Sequence, residues 1–417
     1  MAKIIPFRGI RPVRDKVHLV ASRSVDNYGR NDLAEKLRGN PYTFLHVINP
    51  DFSEGKRSKP GTLERLKKVR NKYLQFRNEG IFLRDETPTY YLYQQIKLGH
   101  TYTGIIACTS IDEYFNGTIR VHEQTLTDRE RKLQEYLDVC EFNAEPVLFC
   151  YPDHAGITAI IDKHLAQREE YDFTTTDKVR HRLWLIDNEQ DVDAMEQYFG
   201  DISAVYIADG HHRSASSARL GKDRRQRDGM FSGTEPYNYY LGVFFPESQL
   251  KIFDFNRVVK DLNGLSTEEF IAAIQNDFEV IRHGDSTFKP QQKHVFSMYI
   301  ENAWYELRLL PGRVNDEEPV NSLDAFLLSK YILTPVLGIE DLKTDQRVGF
   351  VSGIKGTDEL KNQVDHWKFT VAFGLYPVQM QELKHIADTN NIMPPKTTWV
   401  EPKMRSGLVI FPLDEAL

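Results

Sequence analysis

The chain has 417 residues, enough for two or three domains at roughly 150 residues each. Hydrophobic residues make up 41% of it, charged residues 27% and aromatics 12%, a globular balance that excludes disordered, collagen-like and disulfide-scaffold chains. With 53 basic against 60 acidic side chains the net charge is −7, which argues against a surface that tracks DNA or RNA while leaving room for a local anion site.

In chain order, residues 1–50 read as short strands and turns, with Arg8, Arg11 and Arg14 close together. Residues 51–80 are rich in Lys, Arg and Glu, and Leu63 to Phe76 is predicted as an amphipathic helix whose basic run (Lys67, Lys68, Arg70) forms a solvated face. Thr89–Ile96 and Thr101–Thr109 are predicted strands around a Leu98-Gly99-His100 turn. Thr127-Asp128-Arg129-Glu130 has the capping-box spacing and predicts a helix to about Asp138, with Leu133 and Leu137 inward. Val147–Tyr151, after Glu145-Pro146, is a buried-strand pattern in which Cys150 reads as a packed thiol. Residues 153–200 read as an inserted helical pair. Ala204–Ala208 is a second buried strand, and the small residues after it predict a helix ending near Leu220-Gly221. Alternating strands and helices follow, including a helix capped by Ser266 with Glu269, one over Leu323–Leu333 and one over Val378–Asp388. The three cysteines form no CxxC pair, and no stretch approaches the ~18 apolar residues of a membrane span. A reduced, cytoplasmic setting with no membrane and no nucleic-acid partner is therefore expected.

The strongest chemical signal is Asp209-Gly210-His211-His212-Arg213. A buried strand that turns at a glycine directly into a helix aims backbone N–H groups at its tip, and the helix dipole favours an anion there. Two histidines and an arginine add donors suited to phosphate oxygens. The plain alternative is a capped helix start with surface histidines. Adjacent histidines are poorly placed to share a metal, and no HExxH or Cys/His array accompanies them. Two weaker signals are His122-Glu123-Gln124 before the helix at Thr127, and Pro394-Pro395-Lys396-Thr397-Thr398, where prolines stiffen a loop carrying one ammonium and two hydroxyls. Each alone is read more readily as ordinary capping or salt bridging, or as a rigid surface turn.

Their order along the chain resembles that of the free serine kinases of the ParB/sulfiredoxin-like fold, which share Pro-His-Glu-Gln, Asp-Gly-His-His-Arg and Pro-Lys-Thr-Thr stretches. Over its whole length the chain is also similar to a bacterial family labelled domain of unknown function 1015, through Pro6-Phe7-Arg8-Gly9-Ile10-Arg11-Pro12 and Met393-Pro394-Pro395-Lys396-Thr397-Thr398-Trp399.

The resemblance implies a mixed α/β (α+β) chain in three parts. These are an N-terminal α/β region (1–100), a ParB/sulfiredoxin-like phosphate-binding core (101–260, with 153–200 inserted) and a C-terminal α+β domain (261–417) that contributes the Lys396–Thr398 loop. It implies phosphoryl transfer to the hydroxyl of free L-serine, giving O-phosphoserine or running in reverse. The donor would be pyrophosphate or an adenine nucleotide (ADP or ATP), and the cofactor Mg²⁺. Glu123 then matches the catalytic base, and Asp209 a second catalytic group that holds Mg²⁺ or orients the donor. Gly210, His211, His212 and Arg213 match the donor-phosphate positions. His122, Phe255, Asn256, Arg257, Lys396, Thr397 and Thr398 match the substrate side, with Phe255 nearest the aromatic of the serine pocket and Asn256 and Arg257 placed for a carboxylate. Where those kinases have Arg-His after the two threonines, this chain has Trp399-Val400. No GxxxxGK[ST] loop is present. A ParB-like nucleotide-binding regulator without kinase activity is the competing reading. Sulfiredoxin-type chemistry is disfavoured because His211-His212 stands where a cysteine is needed.

Overall fold

Long runs of β-branched and aromatic residues with both faces buried, such as Val147–Tyr151 and Tyr239–Pro246, are strands of a sheet covered on two sides. The structure, a computed structural model, describes residues 2–53, 57–315, 317–366 and 368–417; residues 54–56 of the charged stretch lie outside the described residues. Residue contacts divide the chain into two units. The first comprises 1–120, 125–250 and 402–417, and the second 121–124 and 251–401.

Among the described residues of the first unit, nine strands form one mixed sheet. They are β1 (Ile4–Ile5), β2 (Tyr90–Lys97), β3 (His100–Ser110), β4 (Ile119–Arg120), β5 (Val147–Tyr151), β6 (Tyr171–Thr174), β7 (Arg180–Ile186), β8 (Val205–Asp209) and β9 (Tyr239–Pro246). Their order is β4-β8-β5-β9-β3-β2-β7-β6, with β1 beside β3. Helices α1 (Leu63–Asn78), α2 (Thr127–Cys140), α3 (Ala155–Leu165), α4 (Glu189–Gly200) and α5 (His211–Asp228) belong to the same unit. The residues expected as an N-terminal region and those expected as a core therefore share one sheet, through the β2–β3 hairpin.

Several expectations are corrected here. The 153–200 segment is not a helical pair but helix, hairpin, helix: β6 and β7 lie between α3 and α4, and β7 extends the sheet from Tyr90 to Ile96 of β2. Thr127 does not cap α2. Leu126 occupies that position without a side-chain cap, because the Glu130 carboxylate accepts the Thr125 hydroxyl and pairs with Arg219 at 2.9 Å. Helix α5 does not stop at Gly221 but runs to Asp228. In the basic run of α1 only Lys67 is a plain wet face. Lys68 joins Arg65 on the buried Asp51 carboxylate at 2.7 and 2.8 Å, and Arg70 pairs with Asp414. All three cysteines are buried.

The second unit has a six-stranded antiparallel sheet built from β11 (Phe255–Val259), β12 (Phe278–Gly284), β13 (Val295–Ile300), β14 (Ala303–Leu309), β15 (Val348–Ser352) and β16 (Val371–Gly374), in the order β12-β14-β13-β16-β11-β15. A separate ribbon pairs β10 (Lys251–Phe253) with β17 (Trp399–Glu401). Period-two alternation sends neighbouring residues to opposite faces. Val259 packs with Phe270, Ile274 and Leu327 under α6 (Thr267–Ile274) and α7 (Asp324–Leu328), whereas Val258 packs with Trp304 and Leu360 under α8 (Thr357–Asp365). The predicted Ser266–Glu269 capping box is present at α6, and α9 spans Met380–Asp388. The chain is thus a mixed α/β protein, as expected. Among the described residues, no helix is long and apolar enough to cross a membrane.

Candidate active site

In the first unit, β8 delivers Asp209 to the start of α5. Its pairing with β5 shifts register between Ile207 and Asp209, a bulge that re-aims the strand end. Gly210 follows with φ +102°, a left-handed conformation that glycine adopts without strain, and having no side chain it cannot itself cap the helix it opens. The turn is the strand–glycine–helix expected from the sequence.

The side chains of this turn are organised around one carboxylate. Asp209 Oδ2 lies 3.4 Å from Arg213 Nη2 and 3.5 Å from Lys403 Nζ, and its side chain remains 43% exposed. Burial acts to raise the Asp209 carboxyl, but Lys403, Arg213 and His211 outweigh it and hold the group below the usual range. Arg213 also donates to the Pro146 carbonyl. His211 is buried. His212 has a structural task, because its Nε2 accepts the Leu126 N–H at 3.1 Å and thereby ties α5 to the start of α2. Ser216 ties the two helices further, donating to the carbonyls of Glu130 and His212. Lys403 was missed by sequence reading: a lone lysine after a proline carries no motif, and only the return of 402–417 into this unit brings it to Asp209.

The remaining candidates belong to the second unit. His122 is buried and its carbonyl accepts the Met393 N–H at 2.9 Å, so the His-Glu-Gln segment and the start of the Pro-Pro-Lys-Thr-Thr loop are held together. Glu123 is exposed. Lys396 takes a left-handed turn (φ +57°) and places its ammonium 5.7 Å from the centre of the Phe255 ring. Phe255 is packed between Phe350 and Trp399, at ring separations of 5.9 and 5.7 Å. Thr397 is buried and donates to the Pro394 carbonyl at 2.7 Å, while Thr398 is half-buried.

Asn256 and Arg257, expected to meet a substrate carboxylate, are instead core residues. The Asn256 amide donates to Asp254 and accepts the Leu375 N–H at 2.9 Å, so both its ends are used within the sheet. Arg257 is fully buried, lies over the Phe350 ring and donates to the Phe255 carbonyl; burial pushes its guanidinium down to about 9.

Among the described residues no group of three or more His, Cys, Asp or Glu could hold a metal ion. Among those residues a protein cage for a cation is therefore not built. One partly exposed carboxylate, Asp209, fits the other mode of Mg²⁺ binding, in which one or two carboxylates share the ion with substrate phosphates.

These features define a mixed α/β protein with a charged strand–glycine–helix turn at the end of its larger sheet. The chain belongs to the DUF1015 family, described as a protein of unknown function, whose model matches residues 4–326. No curated protein matches it. Solved structures similar to it include a free serine kinase variant in complex with AMP, at 12% identity, covering 75% of this chain and 94% of that chain with a TM-score of 0.38. A free serine kinase variant with ADP gives 14% identity, 75% and 94% coverage and a TM-score of 0.37. SbnI from Staphylococcus aureus, with a C-terminal truncation, gives 12% identity, 74% and 87% coverage and 0.40. Overlaps of this size transfer no residue role to this chain.

Proposed function

We propose that the protein is a phosphotransferase that moves a phosphoryl group from a phosphoanhydride donor to the hydroxyl of free L-serine, forming O-phospho-L-serine. The observation that carries the reading is the Asp209 turn, where a glycine-opened helix start, Arg213 and Lys403 gather around one partly exposed carboxylate. Such a turn suits the terminal phosphates of pyrophosphate, ADP or ATP. The serine acceptor rests on the motif resemblance.

In this reading Gly210, His211 and Arg213 hold the donor phosphates. Asp209 would hold Mg²⁺, which would supply neutralisation of the donor's charge. By the motif resemblance, Glu123 accepts the proton of the serine hydroxyl as that oxygen bonds to phosphorus. The bridging P–O bond breaks in the same step, and its electron pair leaves with phosphate, AMP or ADP. Lys396, Thr397 and Thr398 receive the substrate and its new phosphate. His212 supports the turn through its bond to Leu126.

The purified protein incubated with Mg²⁺, L-serine and each donor in turn should yield phosphoserine, read by phosphorus NMR, with at least one of them. Glu123→Gln should lower the rate ~10²–10⁴-fold, the usual contribution of a general base, with donor affinity unchanged. The burial of Asn256 and Arg257 favours one second reading, a nucleotide-binding regulator without transferase activity. Nucleotide binding with no phosphoserine from any donor would establish that reading and end the first.

A further inference from the structure

We propose that Lys403 is a donor-phosphate ligand of the Asp209 turn, presented there by a pinned strap of residues 402–407. The inference rests on the transferase reading above and extends it to a residue outside every motif.

The convergence of donors at the turn motivates it. Two cations, Arg213 and Lys403, approach the same oxygen of one carboxylate. Both are cationic donors suited to phosphate oxygens, and a phosphoanhydride seated at the turn would receive both.

The strap itself is held far more firmly than a surface ion pair requires. The Lys403 carbonyl accepts from the buried Gln95 side chain at 3.0 Å. Two residues on, the buried Arg405 donates to both oxygens of Asp177 at 2.8 Å, to Thr175 at 3.0 Å and to His181 Nε2 at 3.2 Å. Ser406 exchanges backbone bonds with Ser22 and donates its hydroxyl to Glu145, and the Gly407 N–H bonds to the Ala144 carbonyl. Residue 146, next along, provides the carbonyl that holds Arg213. Residues 144–146 therefore register the strap and the turn against one another. An exposed lysine–carboxylate pair contributes too little to account for this much fixation. With its backbone fixed and its side chain about one-third exposed, Lys403 is both positioned and reachable.

The test titrates pyrophosphate and ADP, each with Mg²⁺, into wild type, Lys403→Met and Lys403→Arg at pH 6 and pH 8. Lys403→Met should bind both probes about ten- to a hundredfold more weakly at both pH values, as loss of a charge-assisted bond predicts, and Lys403→Arg should stay close to wild type. A Lys403→Met affinity within threefold of wild type at pH 8 overturns the proposal. So does a deficit confined to pH 6, which would mean that Lys403 only keeps Asp209 ionised. If Lys403→Met melts more than a few degrees early, Lys403→Gln takes its place with the same criteria. Failure of wild type to bind either probe defeats the transferase reading itself, and this proposal with it.

Discussion

At the scale of single residues, His181 shows how the strap is kept in place. Arg405 can only donate, so Nε2 of the ring must accept, which leaves the imidazole proton on Nδ1 facing the Tyr93 hydroxyl at 2.7 Å. Burial, reinforced by the Arg405 charge, pushes the imidazole down from 6.5 to about 3. The folded state thus holds a neutral ring where the unfolded chain holds a charged one at mildly acidic pH. This stabilisation is complete above pH 6.5 and is lost as the pH falls toward 3, at ~1.4 kcal/mol per pH unit. Glu113 and Asp324, both pushed up to about 7 mainly by burial, titrate with the opposite sign, so the difference between two proteins is the informative quantity. Chemical denaturation of wild type and His181→Gln between pH 4 and pH 8 should show a shallower acid slope in the variant; parallel curves would contradict the assignment. Little of this was legible beforehand. His181 sits in an alternating strand with nothing to mark it, and its partners come from residues 93, 175 and 405.

Among the elements, α5 shows where local rules and packing part company. A glycine in mid-helix costs ~1 kcal/mol relative to alanine, so sequence reading ends the helix at Gly221. The helix nevertheless continues, and packing explains the glycine: a β-carbon there would lie 2.2 Å from the Tyr237 carbonyl oxygen and 2.5 Å from an Ile111 methyl. Gly221→Ala should therefore destabilise the protein by ~1–3 kcal/mol in urea denaturation, against the propensity expectation of a gain. A stabilised variant would show that the neighbours give way. The β6–β7 hairpin escaped notice for a related reason. Asp172, Arg180 and Arg182 break the apolar pattern, and two ion pairs across the hairpin, Arg180 with Asp172 and Arg182 with Glu169, supply cross-strand pairing that hydropathy does not register. In contrast, the β8–Gly210–α5 turn and the Ser266 cap were legible because each depends on residues adjacent in sequence.

For the molecule as a whole, the decisive feature is that the second unit is nearly one continuous stretch while the first is assembled from three. Residues 251–401 carry both faces of their own sheet and the cores beneath them. Of the second unit they lack only 121–124. Expressed alone, they should fold cooperatively, with a β-rich circular dichroism spectrum and a single urea transition; a non-cooperative profile would refute their independence. Domain division was the least legible property of the sequence, since the return of 402–417 to the first unit leaves no compositional trace.

That return also orders events on the ribosome. Strands and helices of the larger unit emerge early, yet the segment bearing Lys403 and Arg405 is translated only after the intervening 251–401 stretch. At ~5–20 residues per second the nascent larger unit waits on the order of ten seconds with its closing segment unsynthesised, while the smaller one has all of its residues by the time that segment appears.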